Sequence, residues 1–357
     1  MELKQINRMP MPTFRWLKIN DAEPLGGVPG TYKKELPLWH TDRMIMERRT
    51  ISFDESSANE DLKRSLAFTR EGAGCEYVLT VREHADITEP VILDFRLDDE
   101  NCALYDLLQI KAEKGSRATI VLRYTSAGLN PCFHSGFTVL ELAEKAEVKL
   151  IIAQMLSGED RHAGAVSVIV GPQAHAEVIL GELGSVRSVG SCNIELLGGG
   201  SKAELSGLYA AADAGKLDLN YRIGLRGKES EGEIVVKGAL AGQARKVLKS
   251  TVDFIKGAAG AKGREEETVL VLSDAVVNLS APLLLCGEDN VEGEHATSTG
   301  KPDEGKLYYL MSRGFSEEEA KKLIVEASFT PILNKLEPES LRMEWKERIQ
   351  EVMHGED

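Results

Sequence analysis

The chain has 357 residues, 42% of them hydrophobic and 28% charged, with a formal net charge of -14 and a pI of about 5.2. That composition supports a sizeable folded core and argues against extended disorder, while the acidic surface makes nucleic acid and anionic membranes poor partners. No apolar run reaches the ~18 residues of a membrane helix, Met1 to Asn20 lacks a secretory apolar segment, and five scattered cysteines (Cys75, Cys102, Cys132, Cys192 and Cys286) without a CxxC pair point to reduced thiols in the cytoplasm.

Residues 1–75 read as an N-terminal mixed and helical region, rich in proline and carrying Trp16 and Trp39. The segment Met9 to Asn20 predicts one helical turn, with Phe14 and Trp16 packed against the body. From 76 to 300 short runs of alternating apolar residues recur between Gly, Asp, Asn and Ser. Cys75–Val81, Ala118–Tyr124, Glu147–Ala153, Glu177–Leu183, Lys216–Leu225 and Glu233–Gly238 are examples, and period-two alternation marks strands. A small residue followed by x-(Ile/Val/Leu) recurs at Ala118, Ala146, Ala176, Ala203 and, as glycine, Gly232, at steps of about 28 residues. A strand-filled repeat of that length predicts a stacked β-solenoid; a β-sandwich with evenly long hairpins is the alternative.

From 301 to 357 the period becomes helical. Asp303 to Arg313 predicts a helix stopped by Gly314. Ser316 with Glu319 forms a capping box before a second helix, whose apolar stripe is read as Ala320, Leu323, Ile324 and Ala327, interrupted or kinked at Pro331. Pro338 opens a third, with Leu341, Trp345, Ile349 and Val352 on one face. Such stripes usually pack on the chain's own core, although Trp345 on a charged helix also suits a partner surface.

Several chemistries are excluded by motif. There is no GxxxxGK[ST], HExxH or GxSxG. Gly198 to Ala203 matches a dinucleotide loop only loosely and leads into a strand, not a helix. Asp98-Asp99-Glu100 reads as a solvated turn. No histidine lies at metal-ligand spacing from another histidine or a cysteine, so each of the seven reads singly as structural or surface. His295 differs in context: it follows an acidic, glycine-containing run, Gly287 to Glu294, at the junction of strands and helices, and imidazole suits iron.

That junction, Asp289-Asn290-Val291-Glu292-Gly293-Glu294-His295-Ala296-Thr297-Ser298-Thr299-Gly300, continuing through Asp303-Glu304, Tyr308-Tyr309 and Ser312-Arg313-Gly314, resembles the signature of the SufB/SufD family. Leu270 to Ala275 is similar to a family strand, and Met9 to Asn20 to the start of short D-type chains. The resemblance implies a right-handed parallel β-helix flanked by an N-terminal mixed region and a C-terminal helical region. It further implies a non-enzymatic scaffold subunit for iron–sulfur cluster assembly. The helical end would bind the ATPase SufC, and the β-helix end would pair with a SufB-type chain. His295 matches the family histidine thought to face a partner cysteine at a nascent cluster or iron site. Tyr308, Tyr309, Arg313 and Leu323 are the candidate partner-binding residues.

B-type chains carry a glutamate after this histidine and a cysteine about 28 residues before it. Here Ala296 and the Glu265-Glu266-Glu267-Thr268 stretch stand there, so the chain reads as D-type. Cys286 has no family counterpart and reads as a small buried hydrophobe. Family complexes are associated with reduced flavin, for which no residue signature exists here. A homodimeric scaffold acting with SufC alone, a β-helix polysaccharide enzyme and a metal-free β-solenoid adaptor are the rival readings.

Overall fold

The computed structural model describes residues 2–11, 15–30, 32–54 and 58–354. The chain begins with β1 (Glu2–Leu3), a 3-10 turn at Arg15–Leu17, β2 (Leu25–Gly26), β3 (Trp39–His40), β4 (Met44–Arg48) and α1 (Glu60–Gly72). A run of strands follows: β5 (Cys75–Val81), β6 (Asp86–Leu97), β7 (Ala103–Ala112), β8 (Arg117–Ser126), β9 (Phe133–Leu142), β10 (Glu147–Met155), β11 (Arg161–Val170) and β12 (His175–Glu182). It continues through β13 (Arg187–Leu196), β14 (Lys202–Ala211), β15 (Lys216–Leu225), β16 (Glu231–Leu240), β17 (Arg245–Phe254), β18 (Ala261–Val271), β19 (Val277–Cys286) and β20 (Val291–Gly300). The chain then closes with α2 (Glu304–Ser312), α3 (Glu317–Leu333) and α4 (Glu339–His354).

From β5 onward successive strands alternate between two sheets. The even-numbered strands β6 to β20 form an eight-stranded sheet, and the odd-numbered strands, extended by β4 and β3, a ten-stranded one. Every pairing beyond β5 is parallel. The result is a β-solenoid of about eight turns, as the alternation and repeat predict.

Stacking rungs in register turns each inward position into a column. Ile120, Leu150, Val178, Leu205 and Ile234 stand one above another, buried between the sheets. Each such side chain contributes about 1.5–3 kcal/mol of apolar burial. The strand-entry repeat is also such a column, with one correction. Ala118, Ala176, Ala203 and Gly232 share it, but their neighbour between Ala118 and Ala176 is Val148, not Ala146. Ala146 lies two residues earlier, in a second set of small buried corner residues with Ser116, Ala174, Ser201 and Ser230. The corner serines close their turns: Ser201 Oγ donates to Gly198 O at 2.7 Å and Ser230 Oγ to Gly227 O at 2.8 Å.

Elements pack on both outer faces, as buried parallel sheets require, while charged positions such as Lys202, Glu231 and Lys262 of the eight-stranded sheet stay open to solvent. Val121, Ile151, Ile179 and Leu208 on the outside of the eight-stranded sheet meet Phe329, Leu333 and Trp345 of α3 and α4. Trp345 is fully buried, so it belongs to the core and not to a partner surface. Its ring occupies the space over Gly181, where an added Cβ would come within 2.3 Å of it. The Ser316–Glu319 capping box forms as expected. The buried face of α3, however, is Ala320, Val325, Phe329, Ile332 and Leu333, while Leu323 and Ala327 face solvent. The helix passes Pro331 and ends at Leu333, its last turn held on the sheet by Phe329 and Ile332.

The other face carries α1 and the N-terminal segment. Met9, Leu17 and Ile19 pack on Val247, Leu279 and Leu283. Trp16, expected to pack inward, is 79% exposed, and the turn packs its half-buried neighbour Leu17 inward instead; Phe14 lies outside the described residues.

Candidate functional site

The aliphatic columns change character at the C-terminal end. The column Ile120–Leu150–Val178–Leu205–Ile234 continues as Glu265 and then His295. Its neighbour, Leu122–Ile152–Leu180–Gly207–Val236, continues as Glu267 and then Thr297. Beta alternation places Gly293, His295 and Thr297 on one side of β20. A Cβ on Gly293 would touch Leu284 and Phe254, which lie inside, so that side is the lumen side. His295 therefore stands at the mouth of the solenoid.

β20 pairs on one edge only, with β18, and all its residues after Val291 are exposed. β19, opposite, is likewise the last strand of its sheet. Across the mouth Asn278 Nδ2 donates to Thr299 Oγ1 at 3.1 Å. The end thus offers two free strand edges, which elsewhere in the solenoid are satisfied by the next rung.

Directly below lies a buried polar layer. Lys246 is completely buried and donates to Glu267 Oε1 at 2.5 Å and Ser280 Oγ at 2.9 Å. Tyr209 Oη donates to the same Glu267 oxygen at 3.2 Å. Glu267 Oε2 is buried with no partner. Glu265 accepts from Ser250 Oγ at 2.6 Å, and its burial pushes its pKa upward against that hydrogen bond and the nearby His295. Burial likewise lowers the Lys246 pKa, opposed by the Glu267 carboxylate.

Among the described residues no three His, Cys, Asp or Glu side chains converge to hold a metal ion. His295 alone is an incomplete donor set. Cys286 does not complete it: contrary to the expectation of burial, it is exposed at the end of β19, and His295 stands four positions along β20 from Val291, the first strand residue past that corner. That separation is roughly 13 Å of strand. Cys132 and Cys192 are buried, and burial pushes the Cys132 thiol up to about 12, far from a ready thiolate.

Past the mouth, α2 has no buried residue. Tyr308, Tyr309, Met311 and Phe315 are exposed, Arg313 stacks on Tyr309 at 5.3 Å, and Leu323 faces solvent on α3. The four residues expected to bind a partner therefore all lie on accessible surface at one end of the chain. Sequence reading passed over Glu265, Glu267 and Lys246. The signal for Glu265 and Glu267 is a carboxylate entering each of two inward columns that over the preceding five rungs hold only aliphatic residues and one glycine, Gly207.

The model of the family described as "SUF system FeS cluster assembly, SufBD core domain" matches residues 95–328. The chain belongs to this SufBD family. It is 27% identical over 268 residues to the iron–sulfur cluster assembly protein SufD of Bacillus subtilis, covering 74% of this chain and 61% of that protein. It is 30% identical over 272 residues to an iron–sulfur cluster assembly SufBD family protein of Mycobacterium leprae, covering 72% and 67%. A Staphylococcus haemolyticus SufBD family protein is 25% identical over 366 residues, covering 96% and 78%. The alignment with the Bacillus relative thus spans less than two thirds of that protein's length. The matched SufBD segment contains the whole lumen mouth and most of α3. Among the described residues no helix is long and apolar enough to cross a membrane.

Proposed function

We propose that this chain is a non-catalytic scaffold subunit of the SUF system that pairs with a SufB-type chain through its open solenoid end and binds a SufC-type ATPase through residues 301–357. The observation that carries the reading is His295: one exposed imidazole on the last rung, on the lumen side of its strand, with no group of three convergent ligands among the described residues. A partner cysteine supplied across the free edges of β19 and β20 completes a site for iron or a nascent cluster, which is cargo here. Imidazole nitrogen with thiolate sulfur is a donor set that suits iron.

The exposed apolar surface of α2, around Tyr308, Tyr309 and Arg313 with Leu323 of α3, supports the ATPase contact. Nucleotide hydrolysis takes place on that partner, because this chain has no phosphate-binding loop of its own. Movement of the ATPase pulls on α2 to α4. These helices join β20 through only a short linker after Gly300, so the pull reaches the rung that carries His295. Flavin, if it enters such a complex, has no assigned residues here.

Co-expression with a SufC-type ATPase, with and without a SufB-type chain, followed by mass determination by light scattering, tests the reading. Assembly that needs both partners, with ATPase capture lost on truncation after Gly300, is the expected result. Assembly with the ATPase alone makes the chain a homodimeric scaffold. Failure to capture the ATPase at all leaves a metal-free β-solenoid adaptor.

A further inference from the structure

A second polar line lies deep in the lumen, far from the mouth. Asp106 of β7, His134 of β9, His162 of β11 and Glu182 of β12 are all nearly inaccessible to solvent. His134 and His162 are 28 residues apart and in register on adjacent rungs. Their Nδ1 atoms face each other at 2.9 Å. His134 Nε2 meets Asp106 Oδ1 at 2.7 Å, and Tyr124 Oη donates to Asp106 Oδ2 at 3.1 Å. Beyond His162, its Nε2 lies 4.0 Å from Glu182 Oε1, while Ser188 Oγ donates to Glu182 Oε2 at 2.6 Å. Beneath the line, Gly136, Gly164 and Gly190 stand in register. A Cβ there would lie 3.0 Å from His134 Nε2, 2.7 Å from His162 Nε2 and 3.0 Å from Glu182 Oε1. The glycines keep the floor bare so that the two rings and the carboxyl can occupy it.

Two facing imidazole nitrogens at hydrogen-bond distance hold one proton between them; none, or two, makes the contact repulsive. Taking Asp106 as the carboxylate to which Tyr124 Oη donates, the proton of its second hydrogen bond sits on His134 Nε2. The bridging proton then has two seats. Seated on His162 Nδ1, it leaves both rings neutral, with the His162 Nε2 lone pair facing a protonated Glu182. Seated on His134 Nδ1, it makes His134 an imidazolium paired with Asp106.

We propose that Asp106, His134, His162 and Glu182 form a proton relay in the solenoid lumen. In the transfer the Glu182 O–H bond breaks as His162 Nε2–H forms, and His162 Nδ1–H breaks as His134 Nδ1–H forms. The carboxyl becomes a carboxylate, His162 changes tautomer and His134 becomes a cation beside Asp106. Net charge is unchanged: the new cation sits against Asp106, and the new Glu182 carboxylate keeps the hydrogen bond from Ser188 Oγ and gains one from His162 Nε2–H. The 4.0 Å gap has to close by roughly 1 Å for the first hop. The other titratable neighbours stay neutral near pH 7. Burial pushes Tyr124, backed by Tyr32, as well as Tyr221 and Cys192 beside Glu182, above their usual ranges.

The relay also leaves a mark on stability. Burial raises the Glu182 pKa from 4.5 to about 7, so its contribution is full below pH 4.5 and is lost as pH rises through about 7. Burial lowers His162 well below 6.5, so its contribution is full above 6.5 and is lost as pH falls below it. Between pH 4.5 and 6.5 the two slopes oppose and cancel.

The full chain carrying ¹⁵N-labelled histidine, observed by NMR from pH 5.5 to 8, tests this directly. One slowly exchanging proton coupled to the Nδ1 atoms of both His134 and His162 is expected. Two separately protonated Nδ1 atoms, or none, overturn the proposal. Glu182→Gln supplies the second readout. It keeps the bridging proton but unmasks His162, so as pH falls below 6.5 the unfolding constant rises tenfold per pH unit relative to that of the unaltered chain. An unfolding profile for E182Q that parallels the unaltered chain removes Glu182 from the relay and overturns it.

Discussion

The two polar stretches of the lumen are built from similar residues and behave differently. Around His134 and His162 every group is enclosed and meets another, and rungs continue above and below. Around His295 the rungs stop: β20 is exposed, Glu267 keeps one buried oxygen without a partner, and the histidine has solvent in front of it. A solenoid normally satisfies each rung with the next, so the polar layer at the last rung lacks the rung that would cover it. The difference teaches that residue type does not separate the two stretches; the position of each relative to the end of the stack does.

The comparison can be broken first at the buried pair beneath the mouth. Lys246→Met leaves the Glu267 carboxylate buried without its cation and costs about 3–5 kcal/mol, whereas the double change Lys246→Met, Glu267→Leu recovers most of that loss. Urea unfolding of the unaltered chain, Lys246→Met, Glu267→Leu and the double variant decides it; a double variant as unstable as the sum of the two singles contradicts the pairing. A similar loss, about 3–5 kcal/mol, is expected for Trp345→Ala, which empties the space over Gly181 and frees α4 from the eight-stranded sheet. Gly181→Ala should cost about 1–3 kcal/mol through overpacking against the same ring; thermal unfolding unchanged in both would show that the helices are not seated as described.

Much of this architecture was readable from sequence, for physical reasons that also explain the misses. Alternation over Lys216–Leu225 reports a half-period of the backbone, and that strand forms with those bounds. The 28-residue repeat reports rung length. It slipped at Ala146 because small residues are needed at both the corner and the strand entry, two positions apart. The α3 stripe was misplaced because Leu323 and Ala327 follow helical spacing as well as Val325 and Phe329 do, and only the sheet beneath chooses between them. The His134–His162 pair was invisible to any search at ligand spacing, since its members meet only when rungs stack. His295 was legible through its family motif, but the columns that bring Glu265 beneath it emerge from register alone.

The smallest structural effects sharpen the contrast most. Tyr308→Ser with Tyr309→Ser on the unburied α2 should leave stability within about 0.5 kcal/mol of the starting protein while abolishing capture of the SufC-type ATPase in a pull-down. Retained capture would move the ATPase contact away from α2.

The central claim, that His295 is a cargo ligand at a shared mouth, meets its most direct test in the iron and sulfide content of the assembled complex. His295→Ala should assemble and unfold as the unaltered chain does, because the side chain is exposed, yet the purified complex should lose its iron and sulfide together. A His295→Ala complex that carries the full complement of both would contradict the account.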